Sequence, residues 1–453
     1  MNILVLNGSP KGEYSITLQT VKYLEKRNPA QNFRYLNVGQ KPKALERDFS
    51  QARELIQWAD MLLFSYPVYT FIAPSQLHRF IELMKENKVD VRGKVATQIT
   101  TSKHFYDVTA HRYIQDNVQE MGMHFVRGLS ADMEDLTTEK GRTEAESFWR
   151  HLCWSMEKGY FESYAPVASV PAVPVTVPEV CPEEKKGNVV IITDAKPEDK
   201  QLLGMIARFR AKLPYATRVV NLWEYPFKGG CLGCFQCAVS GKCVHKDNFD
   251  EFLRNDIQTS QAMVYAFAIK DHSMGARFKL YDDRQFCNGH RTVTIGMPVG
   301  YLISGNYSLE SNLQMIVQAR AQVGSNFLAG VATDEADPAA AIDNLADKLS
   351  YALEHRYLPP QNFYGIGGMK VFRDLIWIMQ GMMRADHKFY KSHGQYDFPQ
   401  KQWPRMLAMY AVGAMLANPG LKSKMGNKMN EGMLMPYQKA LEAARARAQQ
   451  TVK

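Results

Sequence analysis

The sequence predicts an α/β chain: two doubly wound parallel-sheet domains in tandem, followed by a C-terminal helical extension. Three observations predict it. Short apolar strands alternate with segments whose apolar residues recur at helical spacing, the pattern of parallel sheets flanked by helices. The same strand–turn–helix order is written twice along the chain. A Pro- and Val-rich stretch separates the two copies, and 453 residues are too many for one ordinary core. The expected organisation is residues 1–160, a linker over 161–187, a second domain over 188–358, and helices over 359–453.

In order, the first pair of units is NILVLNGSPKGEYSITLQTVKYLEKR from Asn2 and NVVIITDAKPEDKQLLGMIARFRAKL from Asn188. Each reads as an apolar strand, a turn and a helix. Second strands follow at Phe33 (FRYLNV) and Thr217 (TRVVNL), and third strands at Ala59 to Tyr69 and Ser260 to Lys270. Helices are expected from Ser75 and from Ala276, then fourth strands at Lys94 (KVATQIT) and Arg291 (RTVTIGM). The stretch Tyr164 to Gly187 is expected to be extended, because its prolines deny it helix and central strand. From Pro359 onward the text turns to methionine-bearing helices that suit packing on the second domain. Within it, Arg384-Ala385-Asp386-His387-Lys388 reads as a solvated helix face.

Composition narrows the function classes. A hydrophobic fraction of 45% and a charged fraction of 22% are those of a globular protein. No run approaches the apolar length of a membrane-spanning helix, and the N-terminus lacks the layout of a signal peptide, so a cytoplasmic protein is expected. The net charge of +9 is spread without basic runs, which speaks against nucleic-acid binding and suits anionic cofactors.

The two copies differ where ligands bind in open α/β sheets, outside the carboxyl ends of the strands. After its first strand, copy one has Gly8-Ser9-Pro10-Lys11, then Ser15-Ile16-Thr17. A loop opening a helix offers backbone N–H groups and a positive dipole end to an anion; the hydroxyls of Ser9, Ser15 and Thr17 and the Lys11 charge suit a phosphate. Copy two has Asp194-Ala195-Lys196-Pro197 there, whose carboxylate opposes one. After the third strand, copy one has Tyr66-Pro67-Val68-Tyr69-Thr70, flat faces for a ring system, against Phe267-Ala268-Ile269-Lys270 in copy two. The loop Thr100-Thr101-Ser102-Lys103-His104-Phe105 is placed to close over the other side of such a ring, with His104 read as a surface residue.

Copy two in turn carries a 17-residue insertion between its second and third strands, holding GGCLGCFQCAVSGKC. Cys231, Cys234, Cys237 and Cys243 stand at spacings of two, two and five. Thiolates suit iron–sulfur clusters and zinc; consecutive two-residue gaps favour a cluster, separated knuckles favour zinc, and redox thiols without metal are the third reading. Gly229, Gly230, Gly233 and Gly241 give the loop its tight turns. Cys153, Cys181 and Cys287 stand alone.

GSPKG with Ser15-Ile16-Thr17, and then YPVYTFIAPSQLHRFIE, resemble the flavodoxin-like NAD(P)H-dependent FMN reductase family. The cysteine stretch followed by Lys246-Asp247-Asn248-Phe249 resembles its iron–sulfur flavoprotein branch. The resemblance covers residues 1–150 and 188–340, as a tandem fused pair. It implies FMN phosphate held by Ser9, Ser15, Ile16 and Thr17, and an isoalloxazine ring against Pro67, Val68, Tyr69, Thr70, Thr101 and Ser102. It also implies a [4Fe–4S] cluster on the four cysteines. In that branch one domain carries both groups and the working pair forms between subunits; here the two sets are split between copies. The expected protein is an FMN-dependent oxidoreductase with NAD(P)H or a small redox protein such as ferredoxin as donor and a small-molecule acceptor; homo-oligomers are compatible. The alternatives are a non-catalytic electron carrier and a quinone reductase with structural cysteines.

Overall fold

In a computed structural model, residues 1–166, 168–178, 185–417, 420, 434, 435, 437, 438 and 440–445 are described. Cys181 lies outside them. The first sheet is built from β1 (Asn2–Asn7), β2 (Asn32–Leu36), β3 (Met61–Pro67), β4 (Val95–Ser102), β5 (His124–Phe125) and β6 (Leu129–Asp132). Its order is β2-β1-β3-β4-β5, with β6 also pairing β4, and every pairing is parallel. The second sheet contains β7 (Lys186–Thr193), β8 (Tyr215–Asn221), β9 (Ala262–Ala268), β10 (Pro298–Ser304) and β11 (Phe327–Thr333). It too is all parallel, in the order β8-β7-β9-β10-β11. Both sheets have the flavodoxin-like order, with the reversal of strand order beside the first strand of each copy.

The fourth strand of copy two differs from expectation. Residues 291–297 form a turn-rich loop in which Val293 and Ile295 are exposed, and the strand begins at Pro298. Arg291 to Met297 alternates β-branched and polar residues, the signature of a half-buried strand. The fourth position of a parallel sheet is covered on both faces and takes the continuous run PVGYLIS instead. Pro298, first in the strand, is tolerated there.

Alternation along the strands assigns each face. Ile3, Val5, Met61 and Leu63 pack under the helices Ile16–Arg27 and Glu139–Lys158. Val189, Ile191, Val264 and Ala266 pack under Lys200–Lys212 and Pro338–His355. The opposite faces, with Leu4, Leu62, Phe64 and Tyr66 from one sheet and Val190, Ile192, Tyr265 and Phe267 from the other, belong to one continuous core. The two halves are therefore joined by apolar packing as well as by the linker, and residues 1–393 form one compact unit. Residues 394–453 form a second, which contains the helix Trp403–Ala417. Among the described linker residues there is no helix or strand up to residue 178; Val173 N–H donates to Asp334 O at 2.8 Å and Val170 N–H to Asn306 Oδ1 at 2.6 Å.

The helices Ser75–Glu86 and Gly275–Arg284 meet at the join, and their polar contacts are reciprocal. Ser75 N–H donates to Asp283 Oδ2 at 2.7 Å, while Ala276 N–H donates to Glu82 Oε1 at 2.7 Å. Ser75 and Ala276 are equivalent positions of the two copies, as are Glu82 and Asp283. A contact of i with j matched by j with i is the signature of a two-fold interface. His78 Nδ1 lies 2.6 Å from Asp271 Oδ2 with both side chains fully buried, and its counterpart Lys279 donates to Tyr69 O at 2.9 Å. The chain folds as a homodimer would, from two unequal halves.

Candidate functional site

The loop after β1 runs close under the helix Ser75–Glu86: a Cβ on Gly8 would stand 2.8 Å from Leu77 Cδ2. Ser9 is buried, and its Oγ accepts from Lys11 N–H at 3.3 Å. Ser15 caps the helix Ile16–Arg27, its Oγ accepting from Leu18 N–H. That leaves the amides of Ile16 and Thr17, in the first turn, without intrahelical acceptors. The Thr17 and Thr101 hydroxyls share a hydrogen bond of 2.5 Å, which ties the helix start to the end of β4.

At the end of β3, Tyr69 and Ile72 exchange two backbone hydrogen bonds, closing a turn in which Thr70 (φ 43°) and Phe71 (φ 75°) are left-handed. Two such non-glycine residues in a row cost energy that surrounding contacts must offset. Copy two supplies part of them, since Lys279 grips Tyr69 O and Asp283 Oδ1 accepts from Thr70 Oγ1 at 3.4 Å.

The cysteine loop of copy two lies on these loops of copy one. Gly233 has φ +60°, and a Cβ there would fall 1.9 Å from the Tyr69 hydroxyl. Gln76 Nε2 donates to Cys231 O at 3.2 Å, and Lys11 Nζ stands 5.6 Å from the Phe235 ring centre. Arg284, fully buried, braces the loop from beneath: it donates to Gly229 O at 2.8 Å, to both Asp247 oxygens at 2.8 and 2.7 Å, and towards Cys243 Sγ at 3.8 Å. Burial would raise the Asp247 carboxyl, but the Arg284 guanidinium and backbone donors outweigh it and hold it at about 2. Burial pushes the Cys231 thiol well up and the Cys237 thiol to about 11. Among the described residues no three His, Cys, Asp or Glu side chains are grouped as a metal-ion site.

One cleft, with about 1400 Å³ of free space including its mouth, brings the two sets together. Ser9, Lys11, Ser15, Ile16, Thr17, Pro67, Val68, Tyr69, Thr70, Thr101 and Ser102 line it. Cys231, Cys234, Cys237 and Cys243 line it as well, from the other half. His104 is not in the wall; its Nδ1 lies 2.7 Å from Asp107 Oδ2 at the surface.

Sequence reasoning missed several wall residues. Cys287, expected to be buried or incidental, is buried, and it lines the cleft, where burial raises its thiol to about 12. Phe286 and His290 stand on either side of it in the chain, and Val371, Phe372 and Leu375 come from the C-terminal helix Phe363–Ile378. Asp386, assigned to a solvated face, is fully buried against His290. No local signal marks these positions: their burial comes from packing between segments far apart in the chain.

In copy two the corresponding place is filled by its own side chains. Asp194, at the equivalent of Gly8, is buried, and Lys270, at the equivalent of Tyr69, reaches it with Nζ 3.1 Å from Oδ2. Trp223 Nε1 donates to Asp194 O at 2.8 Å.

Residues 1–134 match the family model of NADPH-dependent FMN reductase. No curated protein matches the chain. Among solved structures it is similar to an NADH:FMN oxidoreductase, at 21% identity over 36% of this chain and 91% of that one, with a TM-score of 0.31. It is also similar to an NAD(P)H:quinone oxidoreductase from Methanothermobacter marburgensis, at 12% identity over 37% and 99%, TM-score 0.28. A third is the flavoenzyme NAD(P)H:(acceptor) oxidoreductase FerB from Paracoccus denitrificans, at 17% identity over 32% and 94%, TM-score 0.27. These likenesses are too distant to bear on chemistry. The matched family segment contains the loops at Ser9–Thr17, Pro67–Thr70 and Thr101–Ser102 and ends before the cysteines.

Proposed function

We infer that this FMN-dependent NAD(P)H oxidoreductase holds one FMN per chain, in the cleft between its halves. The observation that carries the reading is the convergence of three loops of the matched segment on one cleft roofed by the other half. The donor set fits a phosphate: buried hydroxyls of Ser9, Ser15 and Thr17, first-turn amides of Ile16 and Thr17, and the Lys11 ammonium. Pro67 to Thr70 and Thr101–Ser102 are placed to hold the ring, with Tyr69 fixed by Gly233 and Lys279. FMN supplies the redox chemistry, taking a hydride or two electrons and passing them on singly or together. The residues around it bind, orient and exclude water. NAD(P)H is the donor, and a planar quinone-type acceptor suits the aromatic walls.

The finer part of the proposal is that Cys231, Cys234, Cys237 and Cys243 hold a [4Fe–4S] cluster opposite the flavin site, which opens one-electron exchange with a ferredoxin-like donor. Support comes from the spacing, from four thiols facing one cleft, and from the Arg284 guanidinium beside Cys243, a fitting neighbour for an anionic cluster. Among the described residues the four sulfurs are not grouped as a metal-ion site. The six described cysteines are free, as suits a cytoplasmic setting. No helix among the described residues is long and apolar enough to cross a membrane.

Protein purified without oxygen should oxidise NAD(P)H with quinone acceptors and contain about four irons and four sulfides per chain. Absence of flavin and of turnover would overturn the whole reading. Flavin and turnover without iron would remove the cluster and leave the reductase.

A further inference from the structure

His290 enters the cleft from the loop after the helix Gly275–Arg284, and a carboxylate from another part of the chain stands behind it. Its Nδ1 lies 3.0 Å from Asp386 Oδ2, and its backbone N–H donates to the same oxygen at 3.2 Å. Asp386 belongs to the helix Arg384–Ser392 and is fully buried, with Arg291 Nη1 3.9 Å from its Oδ1. That oxygen has no hydrogen-bond partner among the described residues. Gly289 is required beside it: its φ is +63°, and a Cβ there would stand 2.2 Å from Asp386 Oδ1. A buried carboxylate needs compensating partners, and Asp386 finds them in His290 and, at longer range, Arg291.

Its effect is visible in the ring it holds. Asp386 fixes the imidazole orientation and, in the neutral ring, places the proton on Nδ1. Nε2 has no partner among the described residues, and the ring, with 12% of its side chain exposed, lines the cleft. The surrounding wall is aromatic. Ring centres of His290 lie 4.8 Å from Phe372 and 5.9 Å from Phe286, which continue to Phe105 at 4.4 Å and to Tyr69 at 6.1 Å. This wall offers a flat apolar face with one ring nitrogen set in it.

We propose that His290 is a catalytic residue of the acceptor half-reaction, the proton donor to a quinone-type carbonyl, and that Asp386 is its positioning residue. The proposal rests on the FMN reductase reading above. Reduction of a quinone by NAD(P)H transfers two electrons and one proton, so hydroquinone formation needs one proton more. The imidazolium gives it: the Nε2–H bond breaks as the hydroquinone O–H bond forms. The neutral ring keeps Nδ1–H on Asp386, and Nε2 is reprotonated from water.

The test uses the holoenzyme with NAD(P)H and two acceptors, a water-soluble benzoquinone, which must be protonated, and ferricyanide, which takes electrons alone. His290→Ala should lower the ratio of benzoquinone to ferricyanide kcat by about 10²–10⁴. Added imidazole should restore part of it. Asp386→Asn should lower the same ratio with little change in KM. Independently of turnover, nitrogen NMR of histidine-labelled protein without acceptor should find the neutral His290 ring protonated at Nδ1 in the wild type and a mixture of tautomers in Asp386→Asn. Equal losses with both acceptors, no effect of imidazole, or an unchanged tautomer would each overturn the proposal. A wild type that binds no flavin and reduces neither acceptor removes the reductase reading and this proposal with it. Normal ferricyanide turnover with an unaltered ratio removes this proposal alone.

Discussion

Tyr69 and Gly233 come from opposite halves of the chain, and the space between them admits no methyl group. Gly233→Ala should therefore do more than lose the left-handed backbone, which costs about 1 kcal/mol. It must push the cysteine loop off the Tyr69 ring. Gly241→Ala is the control: φ is +76°, but the added carbon would meet only Arg291 Nη1 at 3.5 Å. Thermal unfolding of both variants should show the larger fall for Gly233→Ala, together with weaker FMN binding. At the other end of the cleft, Ser15→Ala with Thr17→Val removes two hydroxyls of the proposed phosphate cradle. A loss of about 1–3 kcal/mol in FMN affinity is expected, read by equilibrium titration of the apoprotein. That Ser15 and Thr17 would line a cleft was legible beforehand because they follow the carboxyl end of a strand, where local pattern and position agree. His290 and Asp386 were not: Asp386 sits among Arg384, His387 and Lys388, charges that read as solvent-facing until the Gly289–His290 turn is packed against it.

The paired helices at the join are the element on which the site depends. Ser75–Glu86 carries Gln76 and orders the loop after β3, while Gly275–Arg284 carries Lys279, Asp283 and Arg284 into buried positions. Nothing local in KLYDDR marks these charges for burial; they are tolerated because Lys279 pairs with Asp282 and Asp283, Arg284 with Asp247 and Asp282 with Arg320, beside the contacts to the other copy. Beside this pair, His272 of the second half closes an ionic clamp, with Nδ1 2.9 Å from Glu310 Oε1 and Nε2 3.4 Å from Glu120 Oε2. Burial would lower the imidazole, but the two carboxylates outweigh it and raise it from 6.5 to about 9. A histidine raised on folding adds stability that is complete below about 6.5 and is lost as pH rises through about 9. The contribution is at most about 3 kcal/mol, reduced by screening at a partly exposed ring. Unfolding midpoints across that window should fall in the wild type, and the slope should flatten in His272→Gln. An unchanged slope would show that the clamp is not charged in the folded state.

At the scale of the whole molecule, the proposed function has two copies of one fold divide a single site between them. Copy one carries the Ser9–Thr17 loop and the Tyr69 turn, copy two carries the cysteine loop that roofs them, and at the equivalent place in copy two Lys270 pairs with Asp194. The duplication was legible from the repeated strand–helix order, and the division from the edits to GSPKG and YPVYT. The shared core and the reciprocal helix contacts were not, because they join residues about 200 positions apart that no local period connects. Nor was the start of β10, where full burial replaced the alternation that normally marks a strand. The measurement closest to the central claim is the flavin released on denaturing the purified protein, identified and counted against chain concentration. One FMN per chain is expected, falling in Ser15→Ala/Thr17→Val and unaffected by Lys270→Ala. Two flavins per chain, or FAD in place of FMN, would contradict a single site shared by unequal halves.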